Sequence, residues 1–298
     1  MKILILYTYN KGLLSSFFQE LSEKLHRDGF DVVNFYLKHK SECFNQQGVH
    51  IQGEKRGNYF QNYFYIYKII KQTKPDVVIS NFSYVNPSLL FGKLLGVKHN
   101  IVWFHTLKSQ MNFKASSIYI KSKFMNLAST IITNSKELKW EVINAYQQNH
   151  EKVHNIPFTT SIAFSGIKEI KLNKLRGKIY IGCPGRLHPD KNQSLIIDVL
   201  SELKDKNMIL VLAGSNQSNF LELHKPYHTL KNQVVYLGNL SREEMLDFYH
   251  KMDVIILPSL NEAFGLVLIE ALASGCQTLV SSRFGALDYI KEDVSSIT

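Results

Sequence analysis

The sequence predicts an α/β protein made of two successive Rossmann-like domains. The chain of 298 residues is long enough for two domains of ordinary size. Short apolar runs of strand length alternate with helical segments, and this alternation lapses once, around residues 158–177, before it resumes. Because buried strands that alternate with helices form parallel sheets covered on both faces, we assign residues 1–165 and 166–298 to separate domains.

The first domain opens with the apolar run "KILILY" (2–7), which is typical of a buried strand, and with a helical pattern (15–29) that Gly29 ends. Further strands are predicted at 31–37, 76–80, 100–106 and 130–135, with helical segments at 63–72 and 87–96.

The second domain repeats the pattern. Its strands are predicted at 178–183, 208–214, 234–238, 254–259 and 278–282, with helical segments at 192–204 and 241–252. Ligands of such sheets bind at the carboxyl ends of the strands, so two facing domains would form a binding cleft between them.

Composition indicates a water-soluble globular chain, with 45% hydrophobic and 20% charged residues. No apolar run reaches the roughly 18 residues that cross a bilayer, and the opening apolar run is too short for a signal peptide. A cytoplasmic location follows as the expectation. Cys43, Cys183 and Cys276 lack CxxC spacing and nearby histidines, so we expect neither disulfides nor a zinc site and predict that all three are small core residues.

The net charge of +10 lies entirely in the first half. Residues 1–165 carry 20 Lys and Arg against 10 Asp and Glu, whereas residues 166–298 carry 15 against 15. A basic half indicates nucleic acid, an acidic substrate or an anionic membrane surface as partner, or simply a solvated surface. The stripes "YFYIYKII" and "NAYQQ" favour core and surface helix over a nucleic-acid platform.

The segment "NEAFGLVLIEALASG" (261–275) places two carboxylates around an apolar run. Glu262 is predicted in a loop, and a helix is predicted from near Phe264 to Gly275 with Glu270 inside it. The free amides of a helix start form an anion site, and a buried Glu270 must find hydrogen-bond donors.

A glycosidase pair is excluded by distance. Eight helical residues rise roughly 12 Å, more than the roughly 5 to 9.5 Å between glycosidase carboxylates. The same span suits a nucleotide sugar, with Glu262 on the hexose, the diphosphate on the helix amides and Glu270 on the ribose hydroxyls. A buried ion pair for Glu270 and a solvated loop position for Glu262 stay open.

The segment "PGRLHPDKN" (184–192) follows the first strand of the second domain. Arg186 and Lys191 would therefore lie at the same sheet edge as the helix start and meet a diphosphate there. Taken alone, the segment could be an ordinary strand-to-helix turn. Because the chain has no DxD pair for a divalent cation, we expect metal-independent catalysis. It also lacks the GxxxxGK[ST] and GxGxxG phosphate loops of kinases and dinucleotide enzymes.

Together these segments resemble glycosyltransferase family 4, the retaining GT-B enzymes. The resemblance rests on "GRLHPDKN", on "LVLAGS" (210–215), on residues 234–275 and, more loosely, on "STIITNS" (129–135). It implies the GT-B fold, in which two Rossmann-like domains face each other across a cleft. The motif glycines Gly185, Gly214 and Gly12 are then predicted to line the nucleotide-sugar site.

The resemblance also implies residue roles. Arg186 and Lys191 would stabilise the departing nucleoside diphosphate, and Glu262 would contact the donor sugar. Phe264, Gly265 and Leu266 would offer amides to sugar and phosphate, and Glu270 would bind ribose. His105, at the end of "NIVWFH", would lie beside the reacting sugar, unless it is only a satisfied histidine at a strand end.

Three departures from the family pattern stand out. The Gly-Gly pair after the first strand is reduced to Gly12, the IPNGVD segment is "IPFTTSIAF", and the chain ends at "EDVSSIT" where the family typically continues. The second domain is therefore predicted to be incomplete relative to the family.

The predicted function is retaining transfer of a hexose-type sugar from a nucleotide sugar, such as a UDP-sugar, to a glycan or lipid-linked acceptor in bacterial surface polysaccharide synthesis. No nucleic-acid partner is expected, and the basic first domain is predicted to contact the inner face of an anionic membrane peripherally. The alternatives are a non-catalytic GT-B partner subunit and a nucleotide-sugar epimerase or hydrolase on the same fold.

Overall fold

A computed structural model describes residues 1–10, 12–111, 115–159, 166–216, 219–230, 232–290 and 296–297. The chain forms two compact units, Met1–Phe158 (unit 1) and Thr159–Thr298 (unit 2). The predicted domain boundary, after residue 165, falls at the end of a segment (160–165) outside the described residues.

Unit 1 is built on a sheet of eight strands in the order β3-β4-β2-β1-β5-β6-β7-β8. Neighbouring strands are parallel except for β3, which pairs with β4 in an antiparallel hairpin. The strands are β1 (Lys2–Leu6), β2 (Asp31–Lys38), β3 (Glu42–Gln46), β4 (Val49–Lys55), β5 (Val77–Ser80), β6 (His99–Trp103), β7 (Thr130–Thr133) and β8 (Val153–Asn155).

The helices of unit 1 connect these strands. They are α1 (Leu13–Arg27), α2 (Tyr59–Thr73), α3 (Val85–Leu94), α4 (Ala115–Met125) and α5 (Lys136–Asn144). One core cluster joins Leu4, Val33 and Phe35 of the sheet to Ile66 and Ile69 of α2. The period-3.6 pattern of α2 places these isoleucines on its inner side, which is why the helix covers the sheet there.

Unit 2 has a sheet of six strands, parallel in every pairing, in the order β11-β10-β9-β12-β13-β14. The strands are β9 (Ile179–Pro184), β10 (Met208–Ala213), β11 (Val234–Tyr236), β12 (Val254–Leu257), β13 (Thr278–Ser281) and β14 (Ser296–Ile297). The helices are α6 (Gln193–Leu203), α7 (Phe220–Leu223), α8 (Lys225–Thr229), α9 (Arg242–Lys251) and α10 (Leu266–Ala273).

Each sheet contains one point where the strand order reverses. In unit 1 the chain proceeds outward from β1 in one direction and from β5 in the other, and in unit 2 the same reversal lies between β9 and β12. Loops that leave the carboxyl ends of such a strand pair diverge to opposite faces and leave a crevice between them. The fold therefore places one crevice in each unit.

The predicted α/β class with two parallel-sheet domains is confirmed. The prediction missed the β3–β4 hairpin and the short strands β8 and β14. All three cysteines are free, but the prediction that Cys43 is a core residue is wrong: it is exposed, on the edge strand β3. Within the described part of the chain, no helix is both long and apolar enough to span a bilayer.

Candidate functional site

Two glycines approach each other closely at the crevice of unit 2. Gly185 follows β9 and Gly214 follows β10, with φ of 137° and 144°. A Cβ atom on Gly214 would lie 2.0 Å from the carbonyl oxygen of Gly185. Their amides already donate to the carbonyls of Ala213 and Gly238. These glycines therefore shape the sheet edge by packing of their backbones, and their N–H groups are engaged within the protein.

The loop after β9 carries the predicted diphosphate cations. Arg186 is exposed, and its carbonyl accepts a 2.9 Å hydrogen bond from the side chain of Gln193. Lys191 ends a single 3-10 turn. The amide of Leu260 donates to the carbonyl of Asp190 at 2.9 Å, which ties the loop after β9 to the loop after β12.

Lys191 and Glu262, 71 positions apart in the chain, form an ion pair at this edge. Both side chains are partly buried. The backbone of Glu262 is held on both sides, because its amide donates to Arg283 at 3.3 Å and its carbonyl accepts from Gly285 at 3.0 Å. Two of the predicted site residues are therefore brought together. The guanidinium of Arg186 makes no ion pair with any described residue.

Helix α10 begins at Leu266, so the prediction that it starts near Phe264 is wrong by two residues. The helix starts later because Gly265, its N-cap, has a left-handed φ of 93°, which is not helical. A Cβ there would meet the ring of Phe284 at 2.3 Å. Phe264 and Gly265 are loop residues, whereas the amides of Leu266 and Val267 belong to the first turn. Such amides have no intrahelical acceptor and suit an anion.

Glu270 is buried in α10, with 7% of its surface exposed. The hydroxyl of Tyr249 donates to its carboxylate at 3.2 Å. Burial raises the pKa of Glu270 to about 7, although the Tyr249 hydrogen bond and the charge of Arg242 lower it. No salt bridge to Glu270 is formed among the described residues, but Arg242 is a cation whose charge acts on this carboxyl group, so the alternative of a buried ion pair stays open. The carboxylate keeps acceptor capacity for further donors.

The crevice of unit 1 is a cavity of about 300 Å³ between the ends of β1 and β5. Gly12 lies in its wall as the N-cap of α1, and its amide donates to the side chain of Asn10 at 2.7 Å. Across the cavity, Asn81 directly follows β5 and is 1% exposed. Its side-chain nitrogen and oxygen are buried without a partner in the described structure, which marks a place where a polar ligand would be accepted.

His105 lines a larger pocket of about 620 Å³ in unit 1. Its Nδ1–H donates to the carbonyl of Trp103 at 3.2 Å, so the proton is on Nδ1 and Nε2 is the acceptor. Nε2 is buried and unpartnered among the described residues. The ring meets Phe82 edge to face at 4.2 Å, and burial lowers the pKa of His105 to about 4, so the imidazole is neutral.

Lys121 places a cation in the wall of the same pocket. Its ammonium lies 4.6 Å from the centre of the Phe104 ring, and burial lowers the pKa of Lys121 to about 8. An anionic group in the pocket would favour the charged form of this side chain. The pocket therefore offers the neutral acceptor of His105 and two cationic side chains, Lys121 and Arg56.

Sequence reasoning missed four of these residues: Tyr249, Asn81, Trp103 and Lys121. Asn81 could have been found, because it directly follows the apolar run "VVIS" (77–80), where a polar residue lies at the carboxyl end of a strand. Tyr249 and Trp103 lie inside stretches already singled out, residues 234–275 and "NIVWFH", but nothing local marks their roles. Lys121 lies outside every motif.

A metal site is not seen in the described ranges, where no group of three or more His, Cys, Asp or Glu side chains could hold an ion. Metal independence of the chemistry stays a prediction.

Comparison with known families matches both units. Residues 14–158 match the profile described as Glycosyltransferase Family 4, and residues 167–297 match the profile described as Glycosyl transferases group 1. The two matches together span nearly the whole chain.

Individual relatives agree with these matches. An uncharacterized glycosyltransferase of Methanocaldococcus jannaschii is 31% identical over 178 residues, 56% of this chain and 46% of that protein. The capsular polysaccharide biosynthesis glycosyltransferase CapM of Staphylococcus aureus is 27% identical over 198 residues, which are 62% of this chain and 52% of CapM. The chain spans about half the length of the curated relatives it matches.

Solved structures share the fold. The crystal structure of Anabaena HepE in complex with UDP and glucose superposes with a TM-score of 0.79 at 17% identity, over 100% of this chain and 86% of that one. The sucrose-phosphate synthase of Thermosynechococcus elongatus superposes with a TM-score of 0.77 at 16% identity, over 97% of this chain and 83% of that one. The GT-B fold class is thereby confirmed.

Proposed function

Because the chain belongs to the family 4 glycosyltransferases, we propose that it transfers a hexose-type sugar from a nucleotide-sugar donor to a glycan or lipid-linked acceptor. The single observation that carries the proposal is the crevice of unit 2. There the Lys191–Glu262 ion pair, the glycine contact and the start of α10 lie at the carboxyl ends of β9, β10 and β12.

The donor diphosphate is assigned to the cations and amides of this edge. Lys191 and Arg186 follow β9, and the first amides of α10 follow β12, so a pyrophosphate at the crevice would meet positive charge from both sides. As the bond to the sugar breaks, negative charge grows on the leaving diphosphate. Fixed cations stabilise that charge without reorganising.

The two carboxylates would hold the sugar rings of the donor. Glu262 lies beside Lys191, so a hexose hydroxyl could donate to Glu262 while its phosphate meets the ammonium. Glu270 is buried with the Tyr249 hydroxyl as its partner, and two vicinal ribose hydroxyls would supply further donors.

The acceptor and its catalytic surroundings are assigned to unit 1. The neutral Nε2 of His105 is an unpartnered hydrogen-bond acceptor, which suits a sugar hydroxyl rather than a phosphate oxygen. Lys121 in the same pocket suits an acceptor that carries a negative charge.

Several finer features are part of the proposal. UDP-glucose is the first donor to test, since Anabaena HepE was crystallised with UDP and glucose. Surface polysaccharide synthesis is supported by the similarity to CapM. Retention of anomeric configuration and catalysis without a metal follow the expectation from the family.

The experiment is a calorimetric titration with UDP and GDP, followed by assays of nucleoside diphosphate release from their sugars with and without lipid-linked acceptor. We expect one nucleotide to bind, and sugar transfer that persists in EDTA. Lys191→Met should weaken both, whereas Lys206→Met, at an exposed position of unit 2, should change neither.

The outcomes separate the alternatives. Failure of every nucleotide to bind would favour a non-catalytic partner subunit and overturn the proposal. Binding with donor hydrolysis or epimerisation, but no transfer to any acceptor, would identify the nucleotide-sugar hydrolase or epimerase. Anomeric configuration of the product, read by NMR, decides retention.

A further inference from the structure

The helices α2, α3 and α4 form one continuous outer layer of unit 1. α3 packs against α2 on one side and α4 on the other, and α2 and α3 also pack on the sheet. We call the solvent-facing side of these three helices the α2–α4 face. Its composition differs from that of an ordinary solvated surface.

Large apolar side chains project from all three helices of this face. Phe60 is 82% exposed and Leu94 is 71% exposed, which is unusual for residues of this size in a monomeric protein. The other exposed apolar residues of the face are Tyr59, Phe64, Leu90, Tyr119 and Ile120.

Every charged residue of the three helices is a lysine. Their sequences, "YFQNYFYIYKIIKQT", "VNPSLLFGKL" and "ASSIYIKSKFM", contain no Asp, Glu or Arg. The lysines are Lys68, Lys71, Lys93, Lys121 and Lys123. By contrast α1 carries Glu20 and Glu23 among its polar residues. These five lysines supply half of the net charge of +10, on the same helices as the exposed apolar residues.

Helix α2 shows how the two kinds of residue are arranged. Phe60, Phe64, Lys68 and Lys71 recur every three or four positions and are all exposed, so they form one stripe that begins aromatic and ends basic. Its opposite side carries the buried isoleucines of the core. Aromatic and aliphatic side chains with lysines beside them suit the boundary between acyl chains and anionic headgroups.

The α2–α4 face also continues into the pocket of His105. The walls of that pocket include Tyr63 of α2, Pro87 of α3 and Lys121 of α4. A headgroup that rises from a membrane beneath the face would therefore enter the pocket between the same helices. An RNA strand could use the aromatic rings and lysines, but it would leave the aliphatic Leu90 and Leu94 in water, so a lipid surface fits better.

We propose that the α2–α4 face docks on an anionic lipid bilayer, with Phe60, Phe64 and Leu94 inserted among the acyl chains. The exposed lysines of the face, Lys68, Lys71, Lys93 and Lys123, would lie on lipid phosphates. The part of this inference that concerns a lipid-linked acceptor rests on the proposed function. The docking itself does not, because it needs no nucleotide or turnover.

The test is flotation with vesicles of phosphatidylcholine alone and of phosphatidylcholine with phosphatidylglycerol. The wild-type chain should float with the anionic vesicles and not with the neutral ones. Phe60→Ser/Phe64→Ser and Lys68→Glu/Lys71→Glu should each lower the partition coefficient by about tenfold or more. Because these side chains are exposed, both variants should keep the wild-type circular dichroism spectrum.

Matched controls use exposed residues elsewhere. Trp140→Ser removes an exposed aromatic residue from α5, and Lys206→Glu/Lys225→Glu changes the net charge equally in unit 2. Both controls should float like the wild type. Equal flotation of all variants, or of neutral and anionic vesicles, would overturn the proposal. So would tighter binding to a single-stranded RNA oligonucleotide than to vesicles. Calorimetry with UDP on the same variants tests the donor site separately.

Discussion

Replacing Glu270 by glutamine should stabilise unit 2 at pH 8 and weaken nucleotide binding at the same time. The carboxyl group is buried in α10 with the Tyr249 hydroxyl as a hydrogen-bond donor. A glutamine side chain has nearly the same shape, and its carbonyl oxygen can accept the same hydrogen bond. The substitution therefore removes the buried negative charge with little change in packing.

The magnitude follows from the pKa of Glu270. Burial raises it from 4.5 to about 7, so between these pH values the folded chain holds a proton that the unfolded chain has lost. The stability that the protonated Glu270 contributes is thus present in full below pH 4.5 and is lost as the pH rises to about 7. Each pH unit is worth about 1.4 kcal/mol, and the total loss is about 3 kcal/mol.

Urea unfolding at pH 5 and pH 8 measures this loss. The wild type and Glu270→Gln should differ little at pH 5, and the variant should gain about 3 kcal/mol over the wild type at pH 8. Glu202→Gln, an exposed position on α6, is the control and should follow the wild type at both pH values.

The affinity of Glu270→Gln for nucleotide should fall, whereas its free energy of unfolding at pH 8 should rise. If the ribose hydroxyls donate to Glu270, they favour its ionised form, so UDP binding to the wild type should release a proton near pH 7. Calorimetry in two buffers of different ionisation enthalpy detects that proton, which Glu270→Gln should not release. A variant that is no more stable than the wild type at pH 8 would refute the reasoning about burial.

Three further substitutions or measurements test other parts of the structure. Gly214→Ala forces a Cβ against the backbone of Gly185 and should lower the free energy of unfolding by about 3 kcal/mol, whereas Gly238→Ala, where φ is positive but space is open, should cost only about 1 kcal/mol. Lys191→Met should reduce kcat/KM for sugar transfer by about a hundredfold or more, and an unchanged value would remove Lys191 from the mechanism. The NMR shift of the His105 ring should not titrate between pH 7 and 5, because its pKa is about 4; a midpoint near 6.5 would contradict its burial.

The regular elements of the fold were largely predictable from local sequence. The apolar run at 208–214 became β10 (Met208–Ala213), because a buried parallel strand needs hydrophobic residues on both faces. The edge hairpin was missed for the same reason. β3 alternates exposed and partly buried positions and includes polar residues, so its segment "ECFNQ" lacks an apolar run.

The site was only partly predictable. The sequence order of "PGRLHPDKN" and "LNEAFG" indicates that Lys191 and Glu262 share a sheet edge, but not that they form an ion pair. The start of α10 was misplaced because glycine is permissive and its sequence position does not specify φ, which is left-handed at Gly265 in the structure.

Hydrophobic periodicity and strand length, which are properties of neighbouring residues, determined that this chain forms two parallel α/β units with charged loops after their strands. Only the tertiary structure decided that Tyr249 faces Glu270, that Lys121 joins His105 in one pocket, and that the apolar residues of three helices remain on the surface. These contacts join residues distant in sequence, and no local pattern specifies which of them the packing brings together.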